Sequence, residues 1–328
     1  MSFLPQPEKR TVTFRELVFL LLPVAGILIA LGLHLALPTS YPPGYEPSTY
    51  QWTLLALLGI YVVLLAFACF LPRLRVRMLH LSGLLFVLFL LLETLDILTL
   101  KTGILKLPFM PSPDKTLSTF TTRTAELAES FAASMQLLLT GLAIGAATGF
   151  LSGLAMGWSR ICSYWLSPVL KIIGPMPAAA WVPIAVAIMP SSRAAGLFLI
   201  ALAMWFPFTL MLSSAIRDTD RRLVETARVL GASETHILFH VALPAALPAI
   251  FTGMFMGLSN SFSALIVSEM LGVKAGLGWY ITWAQGWGEY GRVFSTVGVF
   301  IVIFFVLITL LFKVRDHVMK WQKGLVRW

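Results

Sequence analysis

Charge is scarce in this chain. Of its 328 residues 12% are Asp, Glu, Lys or Arg and 58% are hydrophobic, with a mean hydropathy of +0.85. A water-soluble domain carries about 25% charged residues, so most of this length is expected in lipid. Cysteine is nearly missing as well. Cys69 and Cys162, each at the end of an apolar run, build neither a disulfide framework nor a cysteine metal site. The five histidines, His34, His80, His236, His240 and His317, are scattered and supply no catalytic cluster for a membrane-embedded enzyme. No G-x-x-x-x-G-K-[ST] occurs, so the chain has no such loop to cradle ATP. Coupling charges at mid-span are also wanting, which weighs against the alternative of an ion-gradient-driven secondary transporter or channel.

What is abundant is long apolar sequence. About 20 residues cross a hydrocarbon core, and eight runs qualify: 17–37, 51–71, 79–100, 132–157, 165–189, 194–215, 248–271 and 293–313. The first is too long for a signal-peptide core and no A-x-A site follows it, so it counts as a span. The fold class is therefore all-α, a polytopic membrane protein of about eight transmembrane helices. With both termini inside, sixteen of the 24 basic residues fall in inner segments and seven in outer ones, while Lys171 snorkels from a span. The net charge of +9 then reads as orientation, not nucleic-acid affinity. The expected location is a bacterial inner membrane, multi-pass, with lipid as solvent.

Residues 1–106 hold three spans and form an accessory region. Residues 107–318 form the core, opened by the proline-rich Leu107–Pro113 segment, and 319–328 are a cytoplasmic tail. Leu117, Phe120 and Leu127 are expected on one side of an interfacial helix. In the fourth span Gly141, Gly145, Gly149, Gly153 and Gly157 recur at intervals of four, a bare stripe for close helix packing within the subunit or across a dimer. Pro168, Pro175, Pro177, Pro183 and Pro190 punctuate the fifth, which therefore belongs inside the bundle, lining a path.

The inner segment 217–248 is polar and far longer than a linker needs to be. Asp220 is placed to cap one short helix, with Leu223, Ala227 and Leu230 on a face. Gly231 ends it. Ser233 caps a second helix carrying Ile237, Leu238 and Val241, and Pro244 and Pro248 turn the chain back. Such a pair either lies in the lipid interface or docks a cytosolic partner.

This segment resembles the EAA loop of permease subunits of binding-protein-dependent ABC importers. Glu225-Thr226-Ala227, Gly231 and Val241-Ala-Leu243-Pro244 stand at that loop's spacing, departing at Thr226 and Val241. The resemblance spans about residues 108–318. It also takes in Leu166-Ser-Pro168, Gly174-Pro-Met-Pro177, Ala180-Trp-Val-Pro183, Ser268-Glu269-Met270 and Gly276-Leu-Gly278-Trp279, marks most like the nitrate/sulfonate/taurine/bicarbonate branch. It implies a five-helix MetI-like core, two ABC ATPase subunits below, an external solute-binding protein above, and a second permease copy or homologue. ATP and Mg would be used by the ATPase, with no cofactor or metal bound here. Coupling then falls to Glu225, Ala227, Arg228, Gly231, Leu243 and Pro244.

Ser259, Asn260, Ser261 and Ser263, in the middle of the seventh span, either line the solute path with Pro183 or hydrogen-bond to neighbouring helices. Glu93 and Asp96 share a helix face and are expected at the interface or paired with Lys101. Glu269 either braces the Gly276–Gly278 loop or serves an outer gate. His236 and His240 are spaced as in helical zinc sites, but no further ligand stands near, so they face solvent or a partner. Trp158, Trp165, Trp279, Trp283 and Trp287 flank spans as interfacial anchors.

Overall fold

The computed structural model describes residues 14–41, 48–174, 176–271, 273 and 275–320, and of Cys69 the backbone alone. Lys9, Arg10, Pro175, Lys274, Lys323 and Arg327 lie outside these residues. Among the described residues every regular element is helical. Seven helices are long and apolar enough to cross a membrane, and an eighth candidate is a bent pair.

The described residues up to Thr124, with Ala284–Ser295, form one compact unit. It contains α1 (Phe14–Ala36), α2 (Thr49–Phe70), α3 (Pro72–Asp96, continued by a π turn over Ile97–Lys101) and α4 (Pro113–Thr122). The unit therefore reaches beyond residue 106, because α4 is tied to its neighbours. Asp114 accepts the Tyr50 amide at 2.8 Å, and Ser295 Oγ donates to the Thr116 carbonyl at 2.6 Å. Helix α4 stops at Arg123, so Leu127 belongs to the next helix and does not share a face with Leu117 and Phe120.

Helices α1 and α3 run parallel. Gly26 lies against Phe86 and Phe89, and further along His34 Nδ1 meets Asp96 Oδ2 at 2.7 Å. Glu93 and Asp96 are fully buried. The expected pairing with Lys101 does not form. Asp96 takes His34, Glu93 accepts from Tyr50 Oη at 3.4 Å, and Lys101 Nζ donates to the His34 and Leu37 carbonyls at 2.5 and 3.0 Å. The lysine satisfies carbonyls that the end of α1 leaves without partners.

The second unit comprises Ala125–Trp283 and the residues from Thr296 onward. Its elements include α5 (Thr124–Trp158), α6 (Arg160–Ile173), α7 (Val182–Ile188, entered through a 3-10 turn at Ala178–Trp181), α8 (Ser192–Arg217) and α9 (Arg221–Val229). There follow α10 (Glu234–Ile237), which passes through a π turn (Leu238–Ala242) into α11 (Leu243–Ala245), then α12 (Leu247–Leu271), α13 (Leu277–Gly286) as far as Trp283 and α14 (Tyr290–Val318) from Thr296.

The glycine stripe of α5 packs inside the chain, on α8. Gly141, Gly145, Gly149, Gly153 and Gly157 oppose Ile200, Met204, Phe208, Leu212 and Ile216 in turn, four residues per step on both helices. Matched i+4 rows are ridges in grooves, and missing side chains let the backbones close up. The polar clasp of Ser152 Oγ with Thr209 Oγ1 (2.8 Å) and Trp205 Nε1 (2.9 Å) seals the same seam.

Because both series rise together, α5 and α8 point the same way. The chain between them must return across the bilayer, so the fifth run is a crossing, although not a continuous helix. Its two halves, Arg160–Ile173 and Ala178–Ile188, meet at 94°. Proline removes amide donors and blocks the preceding carbonyl, which accounts for the break. Helix α12 runs antiparallel to α8: Gly253 faces Phe208, Gly257 faces Met204, and Ser261 donates to the Ile200 carbonyl at 2.9 Å. From Thr296 onward α14 runs antiparallel to α12 through Phe262–Phe300 and Phe255–Phe312 contacts.

Candidate functional site: the α8–α12 loop and the cavity beside α12

The loop between α8 and α12 is built by its caps. Asp220 accepts the Arg222 amide at 2.9 Å and starts α9; Ser233 accepts the His236 amide at 3.3 Å and starts α10. Between them Gly231 takes φ +83°. Its amide reaches the Arg228 carbonyl at 2.9 Å, and the Ala232 amide reaches the Ala227 carbonyl at 3.0 Å. These are the two bonds of a Schellman motif, in which a left-handed glycine closes the helix. The interval from Ala227 to Gly231 is thereby explained, since the carbonyl that closes the motif lies four residues before the glycine. Arg228 clamps the bend, with Nη2 and Nε each 3.0 Å from Glu234 Oε1.

The two arms differ. No residue of α9 is buried: Leu223 is half exposed, and Val229 and Leu230 are 88% and 82% exposed. Glu225 is exposed on the same helix and Ala227 half-buried. The other arm belongs to the core. Leu238, Ala242 and Ala246 pack with Leu212 and Ile216 of α8, with Leu243 alongside. This arm is not a short surface helix ended by proline; it runs on helically to Ala245. Ahead of Pro244 the Leu243 amide reaches back five residues to Leu238. That widening relieves the clash a proline ring makes in a tighter turn. Pro244 itself is exposed. His236 and His240 stack at 4.2 Å on this arm, and no metal-holding group of three ligands occurs among the described residues.

A cavity of about 450 Å³ opens where the bent pair meets α8 and α12. Asn260 and Ser263 line it, across from Gly174, Trp181 and Phe206. The other path candidates lie elsewhere. Ser261 is buried against α8, Ser259 Oγ returns to its own Phe255 carbonyl at 2.9 Å, and Pro183 opens α7 outside the lining. Position 174 has no room for a side chain, because the Phe206 ring occupies it.

At the opposite end of this unit Glu269 is buried and braces the α13 entrance. Ser134 Oγ donates to its carboxylate at 2.7 and 2.9 Å, the Gly278 amide donates at 2.8 Å, and the Leu277 amide donates to Ser134 Oγ at 2.8 Å. A carboxylate suits the amides of a helix N-terminus. A Cβ on Gly276 (φ +124°) would fall inside that carboxylate, and one on Gly278 would stand 2.7 Å from the Glu269 Cβ. This explains the G-x-G spacing.

A family model described as binding-protein-dependent transport system inner membrane component matches residues 141–321. The putative aliphatic sulfonates transport permease protein SsuC of Bacillus subtilis (strain 168) is 27% identical over 224 residues, 68% of this chain and 81% of that one. The taurine transport system permease protein TauC of Escherichia coli (strain K12) is 27% identical over 206 residues, 61% and 75% of the two chains. The nitrate import permease protein NrtB of Synechococcus elongatus is 26% identical over 173 residues, 53% and 61%.

Proposed function

The chain belongs to the family of binding-protein-dependent transport system inner membrane components, the permeases of ABC importers, and from that premise we infer that it carries a small oxyanion inward. Nitrate, sulfonates, taurine and bicarbonate are the candidate solutes, in line with the relatives named for sulfonates, taurine and nitrate. Two ATPase subunits, using ATP and Mg, dock on the 217–248 loop from the cytosol. An external binding protein delivers the solute, and a second permease copy completes the path. Both termini face the cytosol.

The observation that carries this reading is the asymmetry of the loop. An exposed helix, α9, is clamped by Arg228 and Glu234 to an arm that is part of the core. Helix α9 gives a closing ATPase an apolar grip at Leu223, Val229 and Leu230. The clamp and the Schellman turn pass its displacement to α8 and α12 instead of letting the loop absorb it. The cavity beside Asn260 and Ser263 offers neutral donors, enough to pass an anion without trapping it, and selection rests with the binding protein.

Purification of the chain with its neighbouring ATPase and binding protein, followed by reconstitution, tests the reading. The ATPase should detach when the 225–244 loop is replaced by a short linker, and one of the candidate anions should raise ATP turnover with the binding protein present. Solute movement by the purified chain with no ATPase would end it.

A further inference from the structure

Beside the loop lies a second, larger cavity that the transport reading does not use. It measures about 770 Å³ and sits among the end of α5, one side of α6, the end of α8, α9 and the start of α10. Four basic side chains line it, Arg160, Lys171, Arg217 and Arg228, against one carboxylate, Glu234. That carboxylate is engaged by Arg228. Arg217 Nη1 donates to Ser163 Oγ at 3.2 Å, whereas Arg160 and Lys171 have no carboxylate partner among the described residues. The hydroxyls of Ser163 and Ser167 face the same space. Positive charge in excess, with hydroxyl donors, is the chemistry that recognises a phosphate group.

We propose that this cavity binds a phosphate group, that of an anionic phospholipid headgroup or of a soluble phosphate. Basic pockets between helices on the cytoplasmic side are suited to anionic headgroups. The neighbouring surface suits a lipid as well. Ile161, Tyr164 and Trp165, on the first turns of α6, are each more than 70% exposed, and aromatic side chains favour headgroup depth. A phosphate here competes with Glu234 for Arg228, so occupancy loosens the clamp across the Gly231 bend and ties ATP coupling to the membrane's anionic lipid content.

Amine labelling of Lys171 tests this in the assembled permease–ATPase complex. Lys313 is the reference, because it lies in the C-terminal part of α14, at the same end of the bundle, and does not line the cavity. Three nanodisc preparations are compared: phosphatidylcholine alone, phosphatidylcholine with phosphatidylglycerol, and phosphatidylcholine with inorganic phosphate in the buffer. Relative to Lys313, Lys171 should label roughly fivefold more slowly with phosphatidylglycerol, and Arg160→Gln should abolish most of that protection. Slowing by inorganic phosphate alone supports the site with a soluble source. Equal reactivity in all three preparations overturns the proposal, as does equal shielding in all three, which would mean that the ATPase or a second copy covers the cavity. If Arg160→Gln does not fold, the three preparations of the unaltered chain decide alone. The readout needs no transport, so its failure is separable from failure of the importer reading.

Discussion

Gly145 of α5 lies so close to Ala201 of α8 that a Cβ on the glycine would stand 2.5 Å from the Ala201 carbonyl oxygen. No rotamer relieves a clash with backbone, so Gly145→Ala must push the two helices apart. The expected loss is about 1–3 kcal/mol, the usual cost of overpacking, seen as a lower thermal unfolding midpoint in detergent. Gly298→Ala is the control, since a Cβ there meets nothing within 4 Å. Equal midpoints for the two variants would remove the stripe from the account of stability.

Gly231 presents the opposite case. Space around it is open, but φ is +83°. Gly231→Val therefore costs backbone strain, roughly 1–2 kcal/mol per left-handed residue, and reshapes the bend. The variant should reach the membrane and bind ATPase while taking up little solute per ATP hydrolysed. Gly231→Asn, which tolerates the left-handed region, should recover much of the coupling. Normal uptake by the valine variant refutes the lever.

Asn260 and Ser261 are adjacent, yet they predict different phenotypes. Asn260→Leu takes the amide from the cavity and should lower transport with little change in unfolding temperature. Ser261→Ala removes the bond to the Ile200 carbonyl and should cost about 0.5–1.5 kcal/mol of stability, with transport by the folded fraction retained. A transport assay and a melting curve on each variant separate the roles.

Glu269→Ala leaves the Gly278 amide and the Ser134 hydroxyl without their acceptor. A buried group stranded in this way costs about 1–3 kcal/mol. Glu269→Gln keeps an acceptor oxygen and should lose clearly less. If the two variants melt together, the bracing role is wrong.

In the N-terminal unit, Asp96→Ala leaves buried His34 without its 2.7 Å hydrogen-bond partner, a loss of about 1–3 kcal/mol. Replacing both partners with leucine should cost less than the single change. Expression yield and the unfolding midpoint read this directly.

Which features could be read from the chain follows from how far apart their causes lie. The loop was legible because its caps, its glycine and the Ala227–Gly231 interval act within a few residues of each other. The stripe of glycines was legible as a packing face, although its partner was not. Asn260 and Ser261 look alike in sequence; only the position of α8 sends one to the cavity and the other to a carbonyl. His34 and Asp96 stand 62 residues apart, and nothing local announces that they meet.

By itself the sequence determined the membrane solvent, about eight apolar runs, the turn at Gly231 and the caps at Asp220 and Ser233. Those properties depend on composition and on hydrogen bonds between near neighbours. Tertiary structure alone decided that α5 lies parallel on α8, that one arm of the loop is core and the other free, and that four cations converge beside it. Each of these depends on which distant surfaces share a contact. A one-dimensional pattern leaves that open until close packing selects among the faces that could meet.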